Sequence, residues 1–322
     1  MADATVVRPP AASRDVVQRW LRDRGVYVAL AAIVVFNVAF TNNFLMVSNL
    51  RLQLIEATPV IIVALGMALV IGTEGIDLSV GATMALAAAV IPLYLYYGAV
   101  PAMLMALLAG LVVGLVNGTL VAVVGIQPII ATLGILVGGR GLALVFADNR
   151  LKEVFDPTLA TIGSGQVAGV PYSVLIAGVL TLLTAVLVRR TTFGRRVLAI
   201  GGNREASVLA GLPVRRTLVL VYVISGLFAA TAGIISTGRL GASNPSYVGL
   251  LIELSAITAV VVGGTPLTGG RVRILGTVMG ALLMQLIVST LVSHDLRDSD
   301  ARMTQAAIII AAVYLQRDRS RS

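Results

Sequence analysis

Asp77 is the residue whose type and position point most directly to chemistry, because an aspartate beside a long apolar run is costly unless it is paired, caps a helix or is functional. It lies in Gly72-Thr73-Glu74-Gly75-Ile76-Asp77-Leu78-Ser79-Val80-Gly81, whose glycines interrupt an apolar run that then resumes. Within a membrane, Asp77 and Glu74 can bind a polar solute or a coupling ion. Equally, Asp77 or Ser79 can cap the following helix by accepting from an orphan amide, with Glu74 a solvated loop charge. A second interruption, Gly263-Gly264-Thr265-Pro266-Leu267-Thr268-Gly269-Gly270, breaks a later run in the same way and carries Thr265. Asn117, Thr132 and Gln285 sit in otherwise apolar stretches, and Gln127 opens another just before Pro128. A sugar-sized solute needs hydrogen-bonding groups of this kind along its path, although such groups also bridge helices. Glu56 and Glu253 stand near the start of an apolar run in each half, where helix-terminus stabilisation explains them as well as solute binding does.

Other chemistries are excluded or unsupported. With no cysteine there are no disulfides, thiolate metal sites or cysteine nucleophiles, and the single histidine, His294, cannot build a histidine cluster. The one lysine, Lys152, follows Asn149-Arg150-Leu151, which is no glycine-rich phosphate loop. No serine–histidine–aspartate or zinc spacing is present, so neither an enzyme acting alone nor a cofactor is expected.

The elements that must position these residues are membrane helices. Of 322 residues, 57% are hydrophobic and 12% charged, about half the charged share of a soluble domain. Apolar blocks such as Val60 to Ile71, Met103 to Val124 and Val174 to Val188 approach the roughly 20 residues a spanning helix needs. The alternating pattern of a β-barrel is missing. The expected fold is an all-α polytopic transmembrane bundle with spans at 26–41, 57–72, 78–97, 102–124, 126–147, 172–188, 217–237, 251–263, 272–293 and 303–316. The first follows a basic arm without a small-x-small cleavage site and reads as a retained span.

Net charge is +9, and the arginines cluster: five in 1–25, seven in 189–216 and three in 317–321. That distribution fits the positive-inside rule rather than nucleic-acid binding, which wants a basic face with stacking aromatics on a soluble fold. Six crossings before residue 189 and four after 216 keep all three stretches on the cytoplasmic side. Ten spans satisfy this parity, as do eight plus two re-entrant segments. The paired interruptions give the halves a weak internal symmetry. They read either as broken helices lining a solute path or as ordinary cytoplasmic turns.

Within the loop 189–216, Asn203 can cap a two-turn helix, Glu205 suits its first turn, and Gly211 with Pro213 ends it. Ala206, Leu209 and Ala210 share one face. A helix this short is marginal alone, so something braces it: the span ends, anionic lipid heads or a soluble partner.

Three of these stretches, taken in order, resemble the permease subunits of bacterial ATP-binding-cassette importers for monosaccharides, and most closely the galactofuranose type. They are Gly75 to Gly81, Ala199-Ile200-Gly201-Gly202-Asn203 through Gly211, and Ile252-Glu253-Leu254-Ser255-Ala256-Ile257 through Gly263-Gly264-Thr265 to Gly269-Gly270-Arg271. The resemblance covers roughly residues 27 to 315. It implies a permease in the bacterial inner membrane, paired with a second copy or a paralogue. It further implies an ATPase subunit on the cytoplasmic face, touched by the helix at 203–210, and a sugar-binding protein outside. Glu74 stands where relatives commonly have glycine and Ser255 where they commonly have aspartate. The stretch Ser293 to Asp298 is unlike the usual outer loop. Nucleosides or branched-chain amino acids are alternative cargoes. An ion-coupled carrier, with Asp77 or Glu74 as its ion site, is the rival mechanism.

Overall fold

A computed structural model of the chain describes residues 13–294 and, beyond them, 299–300, 303–304 and 306–307. The expected span at 303–316 and the tail at 317–322 therefore lie outside the described residues, apart from the helical pairs 303–304 and 306–307.

Among the described residues, twelve α-helices account for the bundle: α1 Ser13–Phe40, α2 Val47–Gly72, α3 Val80–Tyr94, α4 Ala99–Thr119, α5 Pro128–Phe146, α6 Pro157–Ser164, α7 Tyr172–Arg190, α8 Thr192–Gly202, α9 Arg204–Leu209, α10 Val214–Leu240, α11 Ile252–Val262 and α12 Ile274–Ser293. Seven are long and apolar enough to cross a membrane: α2, α3 with its extension to Tyr97, α4 with its π-helical end to Val124, α5, α7, α10 and α12. The apolar part of α1, Gly25–Phe40, and α11 are shorter. The chain is a polytopic helical membrane protein.

Several boundaries differ from expectation. α2 begins at Val47, ten residues ahead of the expected span 57–72. The basic arm assigned to 1–25 is already helical from Ser13, so α1 carries its basic residues on the same rod as its apolar ones. The loop 189–216 is mostly helix. α7 runs to Arg190, α8 occupies Thr192–Gly202, and α10 starts at Val214. α8 forms because Thr191 accepts from the Gly194 amide at 3.3 Å and because Gly194, Val197, Ile200 and Gly201 bury one face. Finally, the segment between α5 and α7 holds α6 and two short antiparallel pairs: β1 (Lys152–Glu153) with β4 (Ala242–Ser243), and β2 (Gln166–Val167) with β3 (Val170–Pro171).

Burial sorts the helices. In α2, 78% of the spanning window is buried, against 17% in α5. A helix apolar on all sides yet largely unburied presents that surface to lipid or to another subunit. The centre is α2, α3 and α10. Gly110, Gly114 and Gly118 of α4 lie directly on the α10 backbone at Gly226, Tyr222–Val223 and Val219, the close approach that small residues at four-residue spacing permit.

The bundle has an Arg-rich end, where α7, α8, α9 and α10 meet, and a far end. At the far end, His294 Nε2 lies 3.3 Å from Thr41 Oγ1, tying α12 to α1.

Candidate functional site

Asp77 sits between α2 and α3 and is 1% exposed. Its Oδ1 accepts from the Ser79 amide at 3.0 Å and the Ser79 hydroxyl at 2.6 Å, and Oδ2 accepts from the Ser225 hydroxyl of α10 at 2.7 Å. Asn117 of α4 donates to Ser79 Oγ at 2.7 Å. Thr132 of α5 accepts from the Leu78 amide at 3.1 Å, and its hydroxyl lies 2.9 Å from the Pro128 carbonyl and 3.2 Å from that of Ile76. At 1.5 Å per residue, Ser225 lies about 16 Å along α10 from Val214. The non-helical backbone of 73–79 therefore returns from the Arg-rich end to a deep level before α3 starts, and side chains of three helices, α4, α5 and α10, answer its polar groups, as such backbone requires.

Of the path candidates, the fold thus brings Asp77, Asn117 and Thr132 together. Glu74 and Thr265 lie elsewhere, in the turns where the two interruptions meet at the Arg-rich end. There the Gly270 amide donates to the Gly72 carbonyl at 3.1 Å, with Gly201 wedged against both. Glu74 is exposed with φ 64°, a left-handed conformation that favours glycine. Thr265 is fully buried and accepts from the Arg273 amide at 3.0 Å, closing the second turn. Gln127 is exposed at the start of α5. Gln285 is half-buried on α12, one turn before Ser289, which accepts a bond from Gln53 of α2. Glu56 pairs with Arg239 of α10.

Arg140 was missed from the sequence, although a lone basic residue inside the apolar run 126–147 is itself a signal. It projects from α5 toward residues 241–251, which run back into the bundle from the far end of α10. Ser243 Oγ donates to the Ala88 carbonyl of α3 at 2.7 Å, and two turns deeper Gly249 packs backbone to backbone on Gly81. Arg140 Nη1 donates to the carbonyls of Pro245 at 2.8 Å and Val248 at 3.3 Å, and Nη2 to that of Gly249 at 3.1 Å. α11 begins there, with Glu253 in its first turn. Glu253 is 7% exposed and its Oε2 has no hydrogen-bond partner. A side chain added at Gly81 would touch both Glu253 Oε2 and Arg140 Nη2.

At the Arg-rich end, α9 has the caps its sequence specifies. Asn203 Oδ1 accepts from the Ala206 amide at 2.9 Å, and Gly211, at φ 73°, turns the chain after it. Ser207 faces inward and donates to the Asn203 carbonyl at 2.8 Å. Glu205, Ala206, Leu209 and Ala210 face out. Leu209 is 89% exposed, so the helix presents an apolar side chain outward from the bundle.

Named relatives match most of the chain. The chain is 38% identical over 266 residues to the galactofuranose transporter permease protein YtfT of Escherichia coli (strain K12), covering 82% of this chain and 78% of the relative. It is 35% identical over 300 residues to the ribose import permease protein RbsC of the same strain, covering 91% and 93%. It is 34% identical over 305 residues to the fructose import permease protein FruF of Bifidobacterium longum (strain NCC 2705), covering 90% and 86%. No solved structure matches significantly. The profile of one permease family matches residues 49–313, from the start of α2 past the end of α12, so the chain belongs to the family of branched-chain amino acid transport system / permease components.

Proposed function

We propose that this chain is the permease subunit of an ATP-binding-cassette importer that carries a monosaccharide inward by alternating access. ATP is hydrolysed on a separate cytoplasmic subunit, and solute is delivered by an extracytoplasmic sugar-binding protein. The permease pairs with a second copy or a paralogue in the lipid of the inner membrane, with its Arg-rich end and both termini on the cytoplasmic side. The observation that carries this reading is α9. A six-residue helix is too short to persist by its own hydrogen bonds, yet this one is capped at both ends and presents Leu209 to solvent. Such a face is suited to docking in a groove of a partner. Relatives named for galactofuranose, ribose and fructose favour a monosaccharide as cargo.

Leu209→Asp and Ala206→Asp test the reading, because each places a charge on the docking face without touching the bundle. Uptake of the cognate sugar by cells is expected to fall to background in both, with unchanged amounts of chain in the membrane. Uptake that survives both substitutions contradicts the assignment.

The matching family's own description, which refers to branched-chain amino acids, supports a second cargo reading. A binding screen on the soluble receptor that works with this permease separates the two: pentoses and hexoses are expected to bind, and binding of leucine or valine alone favours the alternative.

A further inference from the structure

Residues 241–251 form a strap that folds back into the bundle alongside α3 and ends where α3 and α11 both begin. Its own turns bond the amides of Tyr247 and Val248 to the Asn244 carbonyl and that of Leu250 to the Tyr247 carbonyl. The Pro245, Val248 and Gly249 carbonyls all turn to one guanidinium, that of Arg140. The strap is also strained. Leu251, its last residue, has φ 59°, a conformation unfavourable for an L-residue and held only where surrounding contacts force it. Beside the guanidinium lies a second acceptor that is not taken: the buried Glu253 Oε2, unpartnered and close enough that both groups would touch a side chain at Gly81. Arg140 therefore has two sets of acceptors within reach, three carbonyls on the strap and one carboxylate on α11. This is the kind of discrete alternative a two-state element requires.

We propose that Arg140 is a positioning residue for translocation: it latches the 241–251 strap shut across the level where α3 and α11 begin, and it releases the strap by transferring its hydrogen bonds to Glu253. The proposal rests on the permease reading for its role in transport, but the latch itself is a property of this chain. With the bonds on the strap carbonyls, the seam between Gly81 and Gly249 is closed. With the guanidinium on Glu253, the carbonyls are freed, Leu251 can relax, and the path from the far end opens to the middle of the bundle. Arginine suits the task because its planar fork reaches several acceptors at once and stays charged throughout.

The chain contains no cysteine, so single thiols report directly. Val248→Cys places a thiol on the strap where the side chain is 3% exposed, and Thr237→Cys places a control thiol in α10 where it is fully buried. The full-length chain in membrane vesicles is treated with N-ethylmaleimide, which crosses bilayers and makes the result independent of orientation. Hydrogen bonds from a charged donor are among the stronger ones, so adding Arg140→Gln is expected to speed labelling of the strap thiol at least about tenfold. The control thiol stays protected. Glu253→Gln, which removes the charged alternative acceptor, is expected to slow strap labelling below that of the chain with Glu253. Arg140→Lys is expected to fall between Arg140→Gln and the unsubstituted chain, since one ammonium cannot replace the fork. Strap labelling unchanged by Arg140→Gln overturns the proposal. So does control labelling that rises in step, because Arg140 would then hold the whole bundle together. Labelling needs neither solute nor ATPase. A failed uptake assay would therefore contradict the importer reading alone, and unchanged labelling the latch alone.

Discussion

Two short stretches of irregular backbone reach the interior of this bundle from opposite ends, and each delivers a carboxylate to the start of a helix. The junction before α3 is closed in every direction around its acid: Asp77 accepts from Ser79 twice and from Ser225 once. The junction before α11 is built the other way. There a single guanidinium answers three carbonyls, while Glu253 keeps an oxygen without a partner. Hydroxyls contributed by the junction and by its packed neighbour fix a backbone in one place. A long cationic side chain from a third helix holds it only while that side chain points its way. The first junction is accordingly an anchor and the second the part free to move.

The strongest way to break this contrast is to separate the two junctions where they touch. Gly249 has φ 70° and its Cα faces the Gly81 carbonyl. Gly249→Val adds a left-handed β-branched residue, costing about 1–2 kcal/mol, and an overpacked contact worth about 1–3 kcal/mol. Tm in detergent is expected to fall by on the order of 10 °C, and a change of less than about 2 °C would contradict the close approach. Next in size, Asp77→Ala strands the Ser79 and Ser225 hydroxyls and is expected to lower Tm by about 5 °C. Glu253→Gln alters an oxygen that has no partner and is expected to shift it by about 2 °C or less. Equal shifts would erase the distinction between anchor and latch.

The smallest effect lies outside the spans. Lys152 bonds Asp148 at 2.8 Å and, first through that bond and then through its charge, holds the carboxyl below its ordinary value. Any stability this contributes is present above the unfolded-state value and is lost as pH falls through the depressed folded one. Because Asp148 is fully exposed, Lys152→Ala is expected to leave Tm at pH 7 unchanged while the Asp148 carboxyl titration, followed by carbon NMR, moves up toward the ordinary range.

Much of the bundle was legible because the membrane leaves few alternatives. Long apolar runs became helices, and Asn203, Glu205 and Gly211 marked α9; that the α4 glycines would meet α10 was not readable, because their spacing does not name a partner helix. The two interruptions were visible as glycine clusters, but not that both would end beside Gly201 at the Arg-rich end, since that depends on α8. α8 was hidden because its buried side is carried by Gly194, Val197, Ile200 and Gly201, two of them glycines that lower any local helix score. The strap was unreadable for a related reason. Its path is set by partners more than a hundred residues away, Arg140 and Ala88. Asp77 and Thr132 could be named from residue type alone; that they would share one junction could not.

The central claim, that this chain works as the membrane half of an ATP-driven importer, is tested most directly by isolating it from mild detergent extracts of its own cells and identifying by mass spectrometry what comes with it. The account predicts a nucleotide-binding ATPase subunit that co-purifies with the unaltered chain and is lost with Leu209→Asp. A chain that comes away without any such subunit, or keeps it undiminished with Leu209→Asp, would contradict the account.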